Sequence, residues 1–166
     1  MQIELQVEPD AGVEASLAVA LAERVPAWAA ATAPHLELHD PRLTVCVRIV
    51  EAAESQRLNA AYRGIDKPTN VLSFPAELPA AVLAALAPEE PVPYGDLALC
   101  WPVVVNEAAS QGKAPLDHCA HLVVHGLLHL GGYDHEESAA AEAMEALERQ
   151  VLNRFAITDP YLEVAS

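Results

Sequence analysis

Five of the seven histidines in this chain fall between residues 118 and 135, and their spacing is that of a metal site. At 100° per residue, a helix carrying His118, His121, His125 and His129 sets them at about 0°, 300°, 340° and 20°, on one stripe. A histidine pair at i, i+4 projects two imidazoles from adjacent turns and forms a ready clamp. The third ligand cannot come from the same row. His121 and His129 would lie about 12 Å apart along a helix axis, whereas Zn–N bonds are about 2.0–2.1 Å. Gly131 and Gly132 follow the row, and a glycine past a helix end can take φ > 0 and turn the chain back. That turn returns His135 toward His125 and His129. The expectation is one zinc ion held by His125, His129 and His135, with a fourth position open as catalytic sites require. Water at such a position has its pKa lowered to about 7.

The ligand offsets of +4 and +10, with glycine at +7, match the metzincin pattern His-Glu-x-x-His-x-x-Gly-x-x-His. One position departs from it: Gly126 stands where metzincins carry their general base. The ligand spacing is retained while the peptidase proton acceptor is missing. A closed structural zinc site is disfavoured because no cysteine lies within the motif. His118 and His121 share the stripe without an assigned role. Substrate-side or metal-supporting contacts and plain core packing are equally open for both. Asp134 adjoins His135; it can hold a histidine N–H or cap the helix that follows, and the cap is favoured.

The elements that must position this cluster are legible from pattern. Gln2–Val7 alternates polar and apolar residues and reads as a strand with one buried face. Glu14 to Ala31 has helical composition, with Pro26 expected to end or kink it. Arg42–Val50 places Leu43, Val45, Val47 and Ile49 on one face of a strand. Glu51–Arg63 is helical up to Gly64, and Thr69–Phe74 reads as a strand. Pro75–Pro93 holds five prolines and reads as an irregular excursion with a short helix at Ala80–Leu86. Leu97–Cys100 is a short buried strand. Helices follow at Pro102–Ser110, Pro115–Leu130 and Glu136–Phe155, the second opened by Pro115 and stopped by the paired glycines. The expected fold is α+β: one domain over residues 1–166, a small mixed sheet packed with about five helices, and the zinc at the C-terminal end of a central helix.

Composition bounds the function. The net charge is −15 with nine basic residues, which argues against a broad electrostatic grip on nucleic acid. Three of the nine, Arg57, Arg63 and Lys67, share one short window. Cys46, Cys100 and Cys119 are odd in number and form no Cys-x-x-Cys pair, so they are expected as small buried hydrophobes in a reducing cytoplasm. The start Met1–Val7 does not read as a signal peptide, and no apolar run reaches the roughly 18 residues of a membrane span.

The string His125–His135 resembles the signature of the YbeY family, bacterial metal-dependent endoribonucleases of ribosomal RNA maturation. Leu58–Phe74, Gly95–Cys100 and Ala120–Gly126 resemble that family's further motifs, in the right order over roughly residues 40–155. Asn70 stands where members often have Asp. The resemblance implies an α+β fold, zinc on His125, His129 and His135, and cleavage of single-stranded RNA. It also implies maturation of the 16S rRNA 3′ end and ribosome quality control. Partners would be small-subunit rRNA and ribosomal or assembly-factor proteins, with no DNA and no membrane. Arg63 matches the family's functionally important arginine. The chemistry is compatible, since a guanidinium fork and a zinc ion both stabilise charge developing on a phosphodiester. The sequence does not choose between water and a 2′-hydroxyl as nucleophile. Arg57 and Lys67 are read as solvated surface, with backbone contacts as the alternative; His121, Lys67 and Asp134 complete the residues considered for the site. Two other classes stay open: a ribosome-assembly factor with a structural zinc, and a metallohydrolase of another substrate such as a peptide.

Overall fold

The alternation of Val45, Val47 and Ile49 is realised as a strand whose inward face is fully buried. In the computed structural model, which describes residues 1–162, the elements are β1 (Gln2–Val7), α1 (Ala15–Thr32), β2 (Leu43–Val50), α2 (Ala52–Arg63), β3 (Val71–Pro75), α3 (Ala80–Ala85), β4 (Val92–Cys100), α4 (Trp101–Ser110), α5 (Pro115–Leu130) and α6 (Ser138–Asn153). The strands form one sheet in the order β1-β2-β4-β3. β1, β2 and β4 run parallel, and β3 pairs antiparallel with β4 at the edge. The fold is therefore α+β with a mixed four-stranded sheet and, among the described residues, six α-helices. The last four residues of the expected 1–166 domain lie outside the described residues.

The main core lies between the sheet and α1, α5 and α6. A smaller cluster of Leu58, Leu72 and Ala98, with Phe74 against it, joins α2 to the sheet. β4 is buried along Leu97–Cys100 because both its faces are covered, as expected of a central strand. No helix among the described residues is long and apolar enough to cross a membrane. All three cysteines are free, and Cys100 and Cys119 are buried. Burial pushes the Cys119 thiol up to about 12, so it packs as a hydrophobe.

Several boundaries differ from expectation. Pro26 neither ends nor divides α1. It sits on the exposed side, where the Ala22 carbonyl that loses its donor can be hydrated, while Leu21, Val25, Trp28 and Ala29 bury the opposite face. Burial of those side chains outweighs a proline cost of about 3 kcal/mol. β4 begins at Val92, five residues before the expected strand, inside the proline-rich segment. Tyr94 is the extra residue there: Thr44 pairs with Pro93 and Val45 with Gly95, a bulge that accommodates the proline. α6 starts at Ser138 and ends at Asn153, shorter at each end than the expected span.

Gly95 lies where β3, β4 and the end of α5 converge. A Cβ there would stand 2.6 Å from Leu130 Cδ2 and 2.8 Å from the main-chain oxygen of Phe74. The backbone oxygen cannot swing aside as a side chain does. Gly95→Ala is expected to destabilise the fold by about 1–3 kcal/mol. The urea midpoint should fall with an unchanged slope; an unshifted midpoint would show that the sheet yields freely at this point.

Candidate metal centre and active-site cleft

α5 is buried on nearly every side. Between His118 and Leu130 all residues are buried except His121, His125 and His129. The histidine stripe is thus the only part of this stretch that reaches solvent. It opens into a cleft of about 800 Å³. Arg63 at the end of α2, residues of β3, and Asp134 and His135 beyond α5 also line it.

The chain turns after α5 by a division of labour between the two glycines. Gly131 has φ −77°, an ordinary value, but a Cβ on it would lie 2.5 Å from Leu36 Cδ2. Gly132 has φ 94° and open space around it. Gly131 lets Leu36 pack closely against the helix end, and Gly132 is needed for handedness. Gly132 N–H then donates to His129 O at 3.0 Å and Tyr133 N–H to Leu128 O at 3.1 Å, closing the helix end. Tyr133 Oη donates to His35 O at 2.9 Å and pins the turn to the body.

That turn brings His135 to the pair on α5. One ring nitrogen from each of His125, His129 and His135 lies within 4.8 Å of the others. His129 Nε2 and His135 Nδ1 are 3.1 Å apart. Two nitrogens on a tetrahedral zinc, each about 2.0–2.1 Å from it, are separated by about 3.3 Å. The donor set therefore fits one zinc-sized ion. Burial first, then the neighbouring His125 and His135, lowers the pKa of His129 and favours the neutral form that metal binding needs.

Glu148 of α6 is the residue that sequence reasoning missed. It is fully buried, and its Oε1 lies 2.5 Å from His125 Nδ1. Its other oxygen accepts from Tyr161 Oη and lies 3.7 Å from His121 Nε2. Burial by itself would raise this carboxyl, but the nearby His121 and the hydrogen bonds from His125 and Tyr161 overcome that and hold it down to about 2. An ionised Glu148 accepts a hydrogen bond from His125 Nδ1–H and leaves Nε2 with its lone pair. His121, His125 and Glu148 also form a second donor group close enough for a metal. That arrangement would consume the His125 nitrogen already bonded to Glu148, so support of His125 is the better account of the group. A signal for Glu148 was present: it continues the buried face Met144, Val151, Leu152 of α6, and an acidic residue on such a face needs a partner.

The other expected residues separate clearly. His121 lines the cleft and lies 3.2 Å from Tyr161 Oη, so it touches the Glu148 network. His118 is buried and bonded to Glu107 at 3.0 Å, which makes it a core histidine. Asp134 neither caps α6 nor holds a ligand ring. Its Oδ1 accepts the N–H of His135 at 2.6 Å and of Glu136 at 3.2 Å, shaping the loop that carries His135; α6 begins too late for the cap. Arg57 is paired with Glu54 at 2.7 Å. Lys67 is exposed and is not part of the cleft lining. Arg63 is exposed, lines the cleft, and has no carboxylate partner among the described residues.

Gly126 also acquires a physical reason. A Cβ on it would meet Leu97 Cδ2 at 2.9 Å and Ser73 Oγ at 3.3 Å, and Ser73 Oγ donates to Gly126 O at 3.3 Å. α5 presses on the sheet here, so a metzincin-type glutamate at this position would point into the core rather than at a substrate. Glu148→Gln, which keeps the shape and removes the charge, is expected to weaken zinc affinity about 10–100-fold. Competition against a chelating indicator reads this directly, and unchanged affinity would show that the carboxylate does not support His125.

Comparison with known proteins identifies a family for the chain. The family described as Endoribonuclease YbeY matches residues 13–156. A curated relative from Halorhodospira halophila, named Endoribonuclease YbeY, is 50% identical over 98% of both chains. One of the same name from Chromohalobacter salexigens is 57% identical over 74% of this chain and 75% of its own. The solution structure of a Thermotoga maritima protein covers 98% of this chain and 100% of its own with a TM-score of 0.57; at 24% identity it speaks for the fold alone. A family match across most of the chain and relatives at 50–57% identity lead to one conclusion: this protein belongs to the Endoribonuclease YbeY family.

Proposed function

We propose that residues 1–166 act as one zinc-dependent, single-strand-specific endoribonuclease domain, working in the cytoplasm. Its task would be maturation of the 16S rRNA 3′ end and ribosome quality control, alongside ribosomal or assembly-factor proteins. The observation that carries the reading is the presence on one open cleft of the His125, His129 and His135 group and of Arg63, which has no carboxylate partner among the described residues. Family membership supports RNA as the substrate. The cleft is open to solvent, which a closed structural zinc site would not need.

The residues divide the work by their chemistry. His125, His129 and His135 would hold the zinc, and when bound it supplies Lewis acidity toward a phosphodiester. Glu148 fixes the His125 tautomer and ring orientation. Asp134 holds the backbone of the His135 loop. Arg63 presents a planar donor fork to the phosphate and stabilises charge as it develops on the non-bridging oxygens. Gly64, in the left-handed region at φ 70°, ends α2 directly after Arg63. Ser55 Oγ and Asn59 Nδ2 bond the backbone of Thr69 and Lys67, tying the following loop back to the helix. Arg63 thus projects from a fixed end.

Zinc content and RNA cleavage measured on the same preparations test the reading. Arg63→Ala should keep zinc and thermal stability while losing about 10²–10³ in cleavage rate. His129→Ala should lose both zinc and cleavage, and chelated wild-type protein should be inactive until zinc is restored. Full-rate cleavage by zinc-replete Arg63→Ala would overturn the role of Arg63. Equal cleavage by chelated and zinc-loaded protein would overturn the catalytic metal.

A further inference from the structure

Tyr62 is the chain neighbour of Arg63 and, at 70% exposure, the most exposed large hydrophobic side chain among the described residues. A single exposed aromatic is ordinary; its surroundings are not. Its ring lines the same cleft as Arg63 and the histidines. It rests edge-on against Phe74, with centroids 4.9 Å apart and planes at 61°. Phe74 is anchored in the small cluster with Leu58, Leu72 and Ala98, so the ring is steadied from one side and open elsewhere. Its hydroxyl has no hydrogen-bond partner among the described residues. Tyr161, the other tyrosine on the cleft, is already engaged: its hydroxyl is given to Glu148, its ring meets His121 edge-on, and the Arg149 guanidinium lies 5.4 Å from its centroid.

Charge makes the second half of the case. The chain carries −15, and Arg42, Arg48, Arg57 and Arg149 are all spent on carboxylates. Counterion release, the usual source of affinity for nucleic acid, is therefore small here. Stacking of bases on aromatic rings is the other general source of single-strand affinity, at about 1–3 kcal/mol per base.

We propose that Tyr62 is a nucleobase-stacking subsite, taking the base next to the phosphate held by Arg63. This rests on the endoribonuclease reading and gives it a physical origin for single-strand selection. A base can lie on Tyr62 only when it is unstacked from a duplex. Arg63 meets the phosphate and its chain neighbour meets the base, so one nucleotide step is gripped at both ends.

The test is binding of a single-stranded RNA oligonucleotide carrying 2-aminopurine, read by fluorescence, beside cleavage kinetics on the same zinc-loaded protein. Tyr62→Leu should bind about tenfold more weakly, quench the probe less, and raise KM more than it lowers kcat. Tyr62→Phe should behave as wild type, because it keeps the ring. An abasic residue walked along the oligonucleotide should reproduce the loss at one position in wild type and add nothing there in Tyr62→Leu. Wild-type affinity and quenching in Tyr62→Leu, with RNA still cleaved, would overturn the stacking subsite alone. Wild-type protein that neither binds nor cleaves RNA would overturn the endoribonuclease reading and this inference with it.

Discussion

The burial of α5 against the sheet is the constraint on which the site depends. From His118 to Leu130 this helix is enclosed, and only His121, His125 and His129 reach solvent. A helix so enclosed can neither rotate nor slide without exposing Val123, Val124, Leu127 or Leu128, each fully buried. The direction of two imidazoles is thereby set by hydrophobic packing, at a cost of displacement of about 1.5–3 kcal/mol for each large side chain uncovered. Gly126 is part of the same fit, since it lets α5 approach Leu97 and Ser73. The geometry of the histidine group is inherited from the core.

On that frame the polar parts are few and mutually dependent. Glu148 sits fully buried beneath the histidines and would be costly if unpaired. His125 and Tyr161 pair it, and it returns a fixed tautomer to His125. Such an arrangement is worth more as a whole than as separate bonds. The helix end, with Gly131 fitted against Leu36 and Gly132 in the left-handed region, brings in the third histidine. Arg63 arrives from the other side of the chain's order, held by the end of α2. An acidic protein thus keeps, on this cleft, a guanidinium with no carboxylate partner among the described residues, where a phosphate can reach it.

Pattern revealed two of the strands through alternation and the helices through their stops, and it failed where tertiary contacts outweigh local preference. Pro26 is a helix breaker by rule, yet α1 continues because its proline faces solvent. β4 reaches back to Val92 because β2 offers it a partner and a bulge at Tyr94 absorbs Pro93. Asp134 looks like a helix cap, but α6 begins at Ser138 and Asp134 instead holds the loop of His135. In each case the deciding atoms are distant in sequence.

What the sequence by itself determined is the histidine set, because spacing along a helix is a local property of the backbone. The row at 121, 125 and 129 follows from 3.6 residues per turn, and the glycine pair marks where the chain can reverse to bring in His135. What only the tertiary structure decided is which neighbours give those residues their state. Glu148, Tyr161 and the cleft wall holding Arg63 come from α6, the C-terminal segment and α2. No helical period relates these to His125. They meet it because hydrophobic burial packs their elements around one enclosed helix, and a pattern along the chain carries no record of that closure.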